Sequence, residues 1–155
     1  MIYDVTVKDV PTIHAAVVRR QATIDIIGPV IRGGFAVLMS AVHKQGAVPA
    51  GPPFLITFGE PSTEHPMDLE LGVPVTAPFP DTGDVFGREV DGGAMATTVH
   101  HGTYAGIGPA YAALTRWIAE HGHTIAGPPR EIYVTDPGSV PTPADNVTEI
   151  WFPIA

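Results

Sequence analysis

The chain repeats itself, and that repeat limits its possible folds more than any other feature. Ile31, Phe35, Leu38 and Val42 fall on one face of a 3.6-residue period; Ile107, Tyr111, Leu114 and Ile118 do the same 76 positions later. Each set is followed at the same offset by a glycine, Gly46 and Gly122, where a left-handed helix C-cap is expected. Gly51-Pro52-Pro53 and Gly127-Pro128-Pro129 keep the offset of 76. Gly28-Pro29 and Gly108-Pro109 repeat at 80, so a small insertion or deletion lies near each helix start. Glu70 and Glu149, like Pro74 and Pro153, repeat at 79.

Each half then reads strand, strand, helix, strand, strand. The expected strands are residues 3–8, 13–20, 53–59 and 67–75 in the first half, and 85–90, 94–101, 130–135 and 146–154 in the second. Residues 76–84 hold Pro78, Pro80, Asp81, Gly83 and Asp84 and read as a surface connection between repeats at about 1–75 and 85–155. One half alone would leave a sheet face and a helix stripe uncovered. Two halves related by a pseudo-two-fold bury both. The expectation is a single α+β domain over residues 1–155, built from two ββαββ repeats, with an antiparallel sheet, two helices and a ligand cleft between the halves.

Composition narrows the function. The 155 residues include no cysteine, which excludes disulfides, thiolate metal sites, iron–sulfur clusters and a cysteine nucleophile. Sixteen acids against eight Lys and Arg give a net charge of −8, the wrong sign for nucleic acid and a suitable one for a cationic or neutral small molecule. The chain start lacks the basic and apolar regions of a signal peptide, and the longest apolar stretch, 22–42, is broken by Asp25, Arg32 and three glycines. A cytoplasmic protein with no membrane contact is expected. His100 and His101 are adjacent on a strand and face opposite ways, His121 and His123 flank Gly122, and His14, His43 and His65 have no partner at ligand spacing. Neither a metal nor a cofactor is expected.

The last strand, Asn146–Ile154, carries the chemistry. Side chains alternate along a strand, so Thr148, Ile150 and Phe152 face one way and Glu149 and Trp151 the other. The matching strand puts Leu69, Leu71 and Val73 on the apolar, helix-covered face and Asp68 and Glu70 on the opposite one, towards cleft or solvent. A carboxylate beside an indole suits a lipophilic cation, with one charge partner and flat rings for the rest. Against that stands an ordinary solvated strand face, which an indole at position 151 makes less apt. Glu131 and Tyr133 pose the same question more weakly, on the face of Leu55 and Thr57. The helix period assigns Tyr111 to the core and leaves Tyr104 free to meet a ligand.

These residues resemble a known family. His100-His101-Gly102-Thr103-Tyr104, then Tyr111 and Leu114-Thr115-Arg116-Trp117, are similar to the helix entry of GyrI-like small-molecule-binding domains. Glu131-Ile132-Tyr133-Val134-Thr135-Asp136-Pro137, Thr148–Ile154 and Asp68–Val75 resemble three of that family's strand motifs. The resemblance implies a stand-alone domain that binds or sequesters bulky, often cationic drugs and dyes. Glu149 would be the cation partner, with Trp151, Tyr133, Tyr104, Glu70 and Glu131 around it. It also implies an alternative, a hydrolase of cyclopropane-bearing electrophiles with Glu149 as general base, and more remotely haem binding. Gyrase as a protein partner and a monomer or homodimer both remain open. Thr57 stands where the family suggests an aromatic, which opens one wall of the cleft.

Overall fold

The structure, a computed structural model, describes residues 2–135 and 142–155. It is an α+β fold with eight antiparallel strands and two helices. In chain order these are β1 (Thr6–Val10), β2 (Ile13–Ala22), α1 (Ile27–Lys44), β3 (Phe54–Phe58), β4 (Met67–Pro74), β5 (Val85–Val90), β6 (Gly93–His101), α2 (Gly108–Glu120), β7 (Arg130–Tyr133) and β8 (Val147–Pro153). Every expected strand and both helices are present. None of the helices among the described residues is long and apolar enough to cross a membrane.

The chain forms two compact units, and these do not follow the sequence halves. One spans Thr12–Asp91; the other joins Met1–Pro11 to Gly92–Ala155. In the first, β2 pairs with both β4 and β5, and β3 with β4. In the second, β6 pairs with both β1 and β8, and β7 with β8. Each unit thus takes the first strand of the other half.

The pairing registers coincide under the offsets read from the sequence. Val10↔Gly93 and Ile13↔Val90 exchange roles at 80. Ile56↔Glu70 becomes Ile132↔Glu149 at 76 and 79, and Ala16↔Val73 becomes Ala96↔Phe152 at 80 and 79. Even the isolated bridges Pro49↔Val75 and Ile125↔Ile154 match.

Both helices end alike. Gly46 and Gly122 have φ of 66° and 74°, and the next residues' N–H groups, Ala47 and His123, donate to the carbonyls of Val42 and Ile118. This is the left-handed cap the glycines announce, using conformational space other residues enter at a cost. The helices press on their sheets through small residues. A Cβ on Gly34 would lie 2.8 Å from Leu71 Cδ2, and Ala110 at the matching turn of α2 is fully buried. Ala110, Leu114 and Ile118 pack with Ala96, Ile150, Phe152 and Ile154, the face that alternation assigned to the core. Burying each large side chain there stabilises by about 1.5–3 kcal/mol.

Strand β1 begins later than expected. The backbone at Asp4 is held by the Thr98 hydroxyl, which donates to the Asp4 carbonyl at 2.8 Å, while Tyr3 and Val5 pack on the α2 core. That chain is extended, but a side chain anchors it in place of a ladder.

Candidate functional site

The expected site residues fall on two faces of one unit, with Glu70 in the other. On the face away from α2, Glu149 Oε1 accepts from Trp151 Nε1 at 2.9 Å and from Lys8 Nζ at 3.3 Å. Its side chain is 23% exposed. The indole expected to wall a ligand site instead hydrogen-bonds the carboxylate, and a lysine from β1 already neutralises it. Alternation gave the shared face correctly; Lys8 comes from β1 across two ladders, which periodicity does not report.

Glu70 occupies the equivalent place in the other unit and is not open to cleft or solvent within it. It is fully buried. Arg88 from β5 grips it through Nε at 3.0 Å and Nη2 at 2.5 Å, and Arg19 Nε adds a contact at 3.3 Å. A buried carboxylate requires such partners, because losing water without them is prohibitive. Arg19 also lies over the Phe86 ring at 5.3 Å. Asp68 is held by Gln21 Nε2 at 2.6 Å.

The Glu131 cluster is different. Glu131 pairs with Ile150 and Tyr133 with Thr148, so both side chains face α2. The Tyr111 hydroxyl, from α2, donates to Glu131 Oε2 at 2.5 Å, and the Tyr133 hydroxyl donates to Oε1 at 3.0 Å. Tyr104, in a 3₁₀ turn before α2, meets Tyr133 edge to face, with ring centroids 5.7 Å apart. No Lys or Arg among the described residues pairs with Glu131. Burial raises its carboxyl above the ordinary range, and the two tyrosyl hydrogen bonds and the charge of His100 offset this only in part. Burial first, then the Glu131 charge, pushes the Tyr111 and Tyr133 hydroxyls upward, so both stay protonated donors.

Tyr111 is in the core, as the helix period requires, but its hydroxyl carries the contact the period could not show. The available signal was chemical, since a buried tyrosine needs a partner for its O–H. His100 was set aside as a metal ligand, and the structure agrees in detail. Its Nδ1 faces the Tyr3 hydroxyl at 3.1 Å and its Nε2 faces the Thr103 carbonyl at 2.8 Å, leaving neither nitrogen for iron or zinc. Among the described residues no group of three His, Asp or Glu could hold a metal. The Thr148 hydroxyl, buried between the two strands of this cluster, has no partner among the described residues.

Residues 3–155 match the GyrI-like small molecule binding domain. The chain belongs to that family. No curated protein matches the sequence. Among solved structures, this GyrI-like chain superposes on the EcmrR C-terminal domain with a TM-score of 0.84 at 22% identity, over 100% of this chain and 99% of that one. EcmrR in a complex with DNA gives 0.82 at 22% identity, over 98% of this chain, which spans only 57% of that chain. A hydrolase encoded by lin2189 from Listeria innocua gives 0.69 at 13% identity, covering 97% and 91%. SAV2435 bound to tetraphenylphosphonium gives 0.64 at 11% identity, covering 98% and 94%. At these identities the likeness is one of fold.

Within this GyrI-like domain the structure brings Glu131, Tyr133, Tyr104 and Tyr111 together. It sets Glu149 and Trp151 on the opposite face and Glu70 in an arginine clamp. Two open grooves lie elsewhere, of about 580 Å³ beside α1 and about 500 Å³ beside α2. They are lined at repeat-equivalent positions, Ala36, Val37 and Val85 in one and Ala112, Ala113 and Val5 in the other, and neither contains an expected site residue.

Proposed function

We propose that this GyrI-like domain binds a bulky lipophilic cation, with Glu131 as the charge partner and Tyr104, Tyr111 and Tyr133 as its rings. One observation carries the reading: a partly buried carboxylate held by two tyrosyl hydroxyls and by no Lys or Arg among the described residues. Burial has already removed most of its hydration, so an arriving cation gains a charge partner without displacing a resident one. Glu149 and Glu70 lack that property, because each holds a base. Aromatic faces add attraction for a cation beyond the area they bury. Tetraphenylphosphonium, the ligand of SAV2435, is the natural probe.

Titrating tetraphenylphosphonium into wild type and Glu131→Gln tests this. Charge-assisted contacts are worth roughly 1.5–3 kcal/mol, so the variant should bind about tenfold to a hundredfold more weakly. Neutral triphenylphosphine oxide should lose little. If Glu149→Gln abolished binding and Glu131→Gln did not, the site would be on the other face, where the sequence first pointed.

A second reading has one observation in its favour. A carboxyl raised by burial is what a general base needs, and that group is Glu131. Hydrolysis of an electrophilic small molecule would then use Glu131 to take a proton from water. Mass spectrometry of an incubated cyclopropane-bearing electrophile decides it: ring-opened product that vanishes in Glu131→Gln supports hydrolysis.

A further inference from the structure

We infer that His100 is a specificity-determining residue of the Glu131 site, coupling its own protonation to the charge that stands beside Glu131. With Glu131 alone, the imidazole holds its proton more firmly; when a cation joins Glu131, it releases it. The inference rests on the reading of Glu131 as the ligand's charge partner.

The geometry suits such a role. The ring is 3% exposed and faces α2 from β6. His100 pairs across to Thr148 on β8, and Thr148 to Tyr133 on β7, so Glu131 lies on the same face two residues along. Both ring nitrogens meet oxygen, Nδ1 the Tyr3 hydroxyl at 3.1 Å and Nε2 the Thr103 carbonyl at 2.8 Å. The carbonyl accepts from Nε2–H in either state. The tyrosyl hydroxyl donates to a neutral Nδ1 and accepts from a protonated one. Gaining or losing a proton therefore breaks no hydrogen bond, and the surrounding charge alone decides the state.

That charge comes from few groups. From β7, Glu131 is the acid, and its interaction with His100 works in both directions. Tyr133 on β7 and Tyr111 on α2 stay neutral, since burial and Glu131 raise both. Tyr3 ahead of β1, Tyr104 and Thr103 before α2, and Thr148 on β8 bring no charge. His101 is exposed on the other face. A cation beside Glu131 cancels the one negative charge favouring imidazolium. A histidine titrates within about pH 5–8, so the exchange falls in an accessible range. Linkage then makes affinity for a cation rise with pH, while a neutral ligand is indifferent.

Calorimetry in two buffers of different ionisation enthalpy measures the proton released as tetraphenylphosphonium binds. Glu131 contributes release of the same sign, so the quantity of interest is the difference between wild type and His100→Gln, whose amide can still serve both oxygens. Wild type should gain about tenfold in affinity between roughly pH 5.5 and 7.5, with His100→Gln flatter and releasing less proton. Equal release and equal pH slopes would overturn the inference. In the free protein, the NMR titration of the His100 ring should move to lower pH in Glu131→Gln; identical midpoints would also overturn it. Should His100→Gln fail to fold, the wild-type ring answers instead, by shifting towards its neutral signals when tetraphenylphosphonium is added at fixed pH, or refuting the inference by not moving. Absence of binding with the Glu131–His100 shift intact would sink the cation-site reading while upholding the coupling.

Discussion

Glu131 and Glu149 stand on neighbouring strands, with Ile132 directly opposite Glu149, yet they answer to opposite solvents. One carboxylate is neutralised by Lys8, the other only softened by tyrosines. Their pH behaviour should differ accordingly. Because burial raises the Glu131 carboxyl in the folded chain, the folded state holds its proton longer than the unfolded state. The stabilising contribution is complete below the unfolded value of about 4.3 and is lost as pH rises through the raised folded value. Denaturant melts of wild type and Glu131→Gln across that window should show wild type losing stability relative to the variant as pH rises. A parallel pair of curves would deny the burial effect. Glu70 is a third case. Glu70→Gln should cost about 1–3 kcal/mol, below the range for stranding a wholly buried charge because Arg88 is 31% exposed and can rehydrate. Glu149→Gln, at a partly exposed pair, should cost at most about 1 kcal/mol. Urea midpoints of the two variants rank them.

At the level of elements, much was legible because the signals are local. Helical period, capping glycines and strand alternation each act within a dozen residues, and they located α1, α2 and the apolar faces of β4 and β8. Leu114→Ala should accordingly destabilise by roughly 2–5 kcal/mol, as measured by thermal or urea melts. What remained hidden depends on which strand lies beside which. Glu70 was read as open because its guanidinium partner arrives on β5, whose place next to β2 is a matter of tertiary pairing. Tyr111 was read as filler because its hydroxyl meets Glu131 only once α2 has settled over β7. Gly72 carries a further element-scale expectation. A Cβ there would sit 2.3 Å from Phe54 Cζ, so Gly72→Ala must displace that ring and should cost about 1–3 kcal/mol. A variant as stable as wild type would mean the ring has room to swing aside.

Across the whole molecule, the two units share a plan but not a chemistry. Where one has Tyr111, Glu131 and Tyr133, the other has Phe35, Leu55 and Thr57 at the equivalent positions. Duplication supplied two helix-covered faces, and only one carries a polar cluster of this kind. The boundary drawn at 76–84 separates the repeats in sequence but cuts through the unit that spans Thr12–Asp91. Residues 1–80 alone lack β5 and leave β1 without β6, so they should show no sharp thermal transition. Residues 12–91 keep every ladder of their unit and should melt at a higher temperature and more steeply than 1–80. A well-dispersed amide NMR spectrum from 1–80 would contradict the exchange of strands.

That exchange of first strands also decides what happens when the chain is cut. A nick within 76–84 yields two pieces, and each piece contributes strands to both units. Neither piece can complete a unit from its own residues, whereas the mixture holds every ladder. The protein is thus built for fragment complementation: two separately expressed pieces, each unstructured on its own, should restore the fold on mixing. Their reassembly could then report whether two tagged proteins meet.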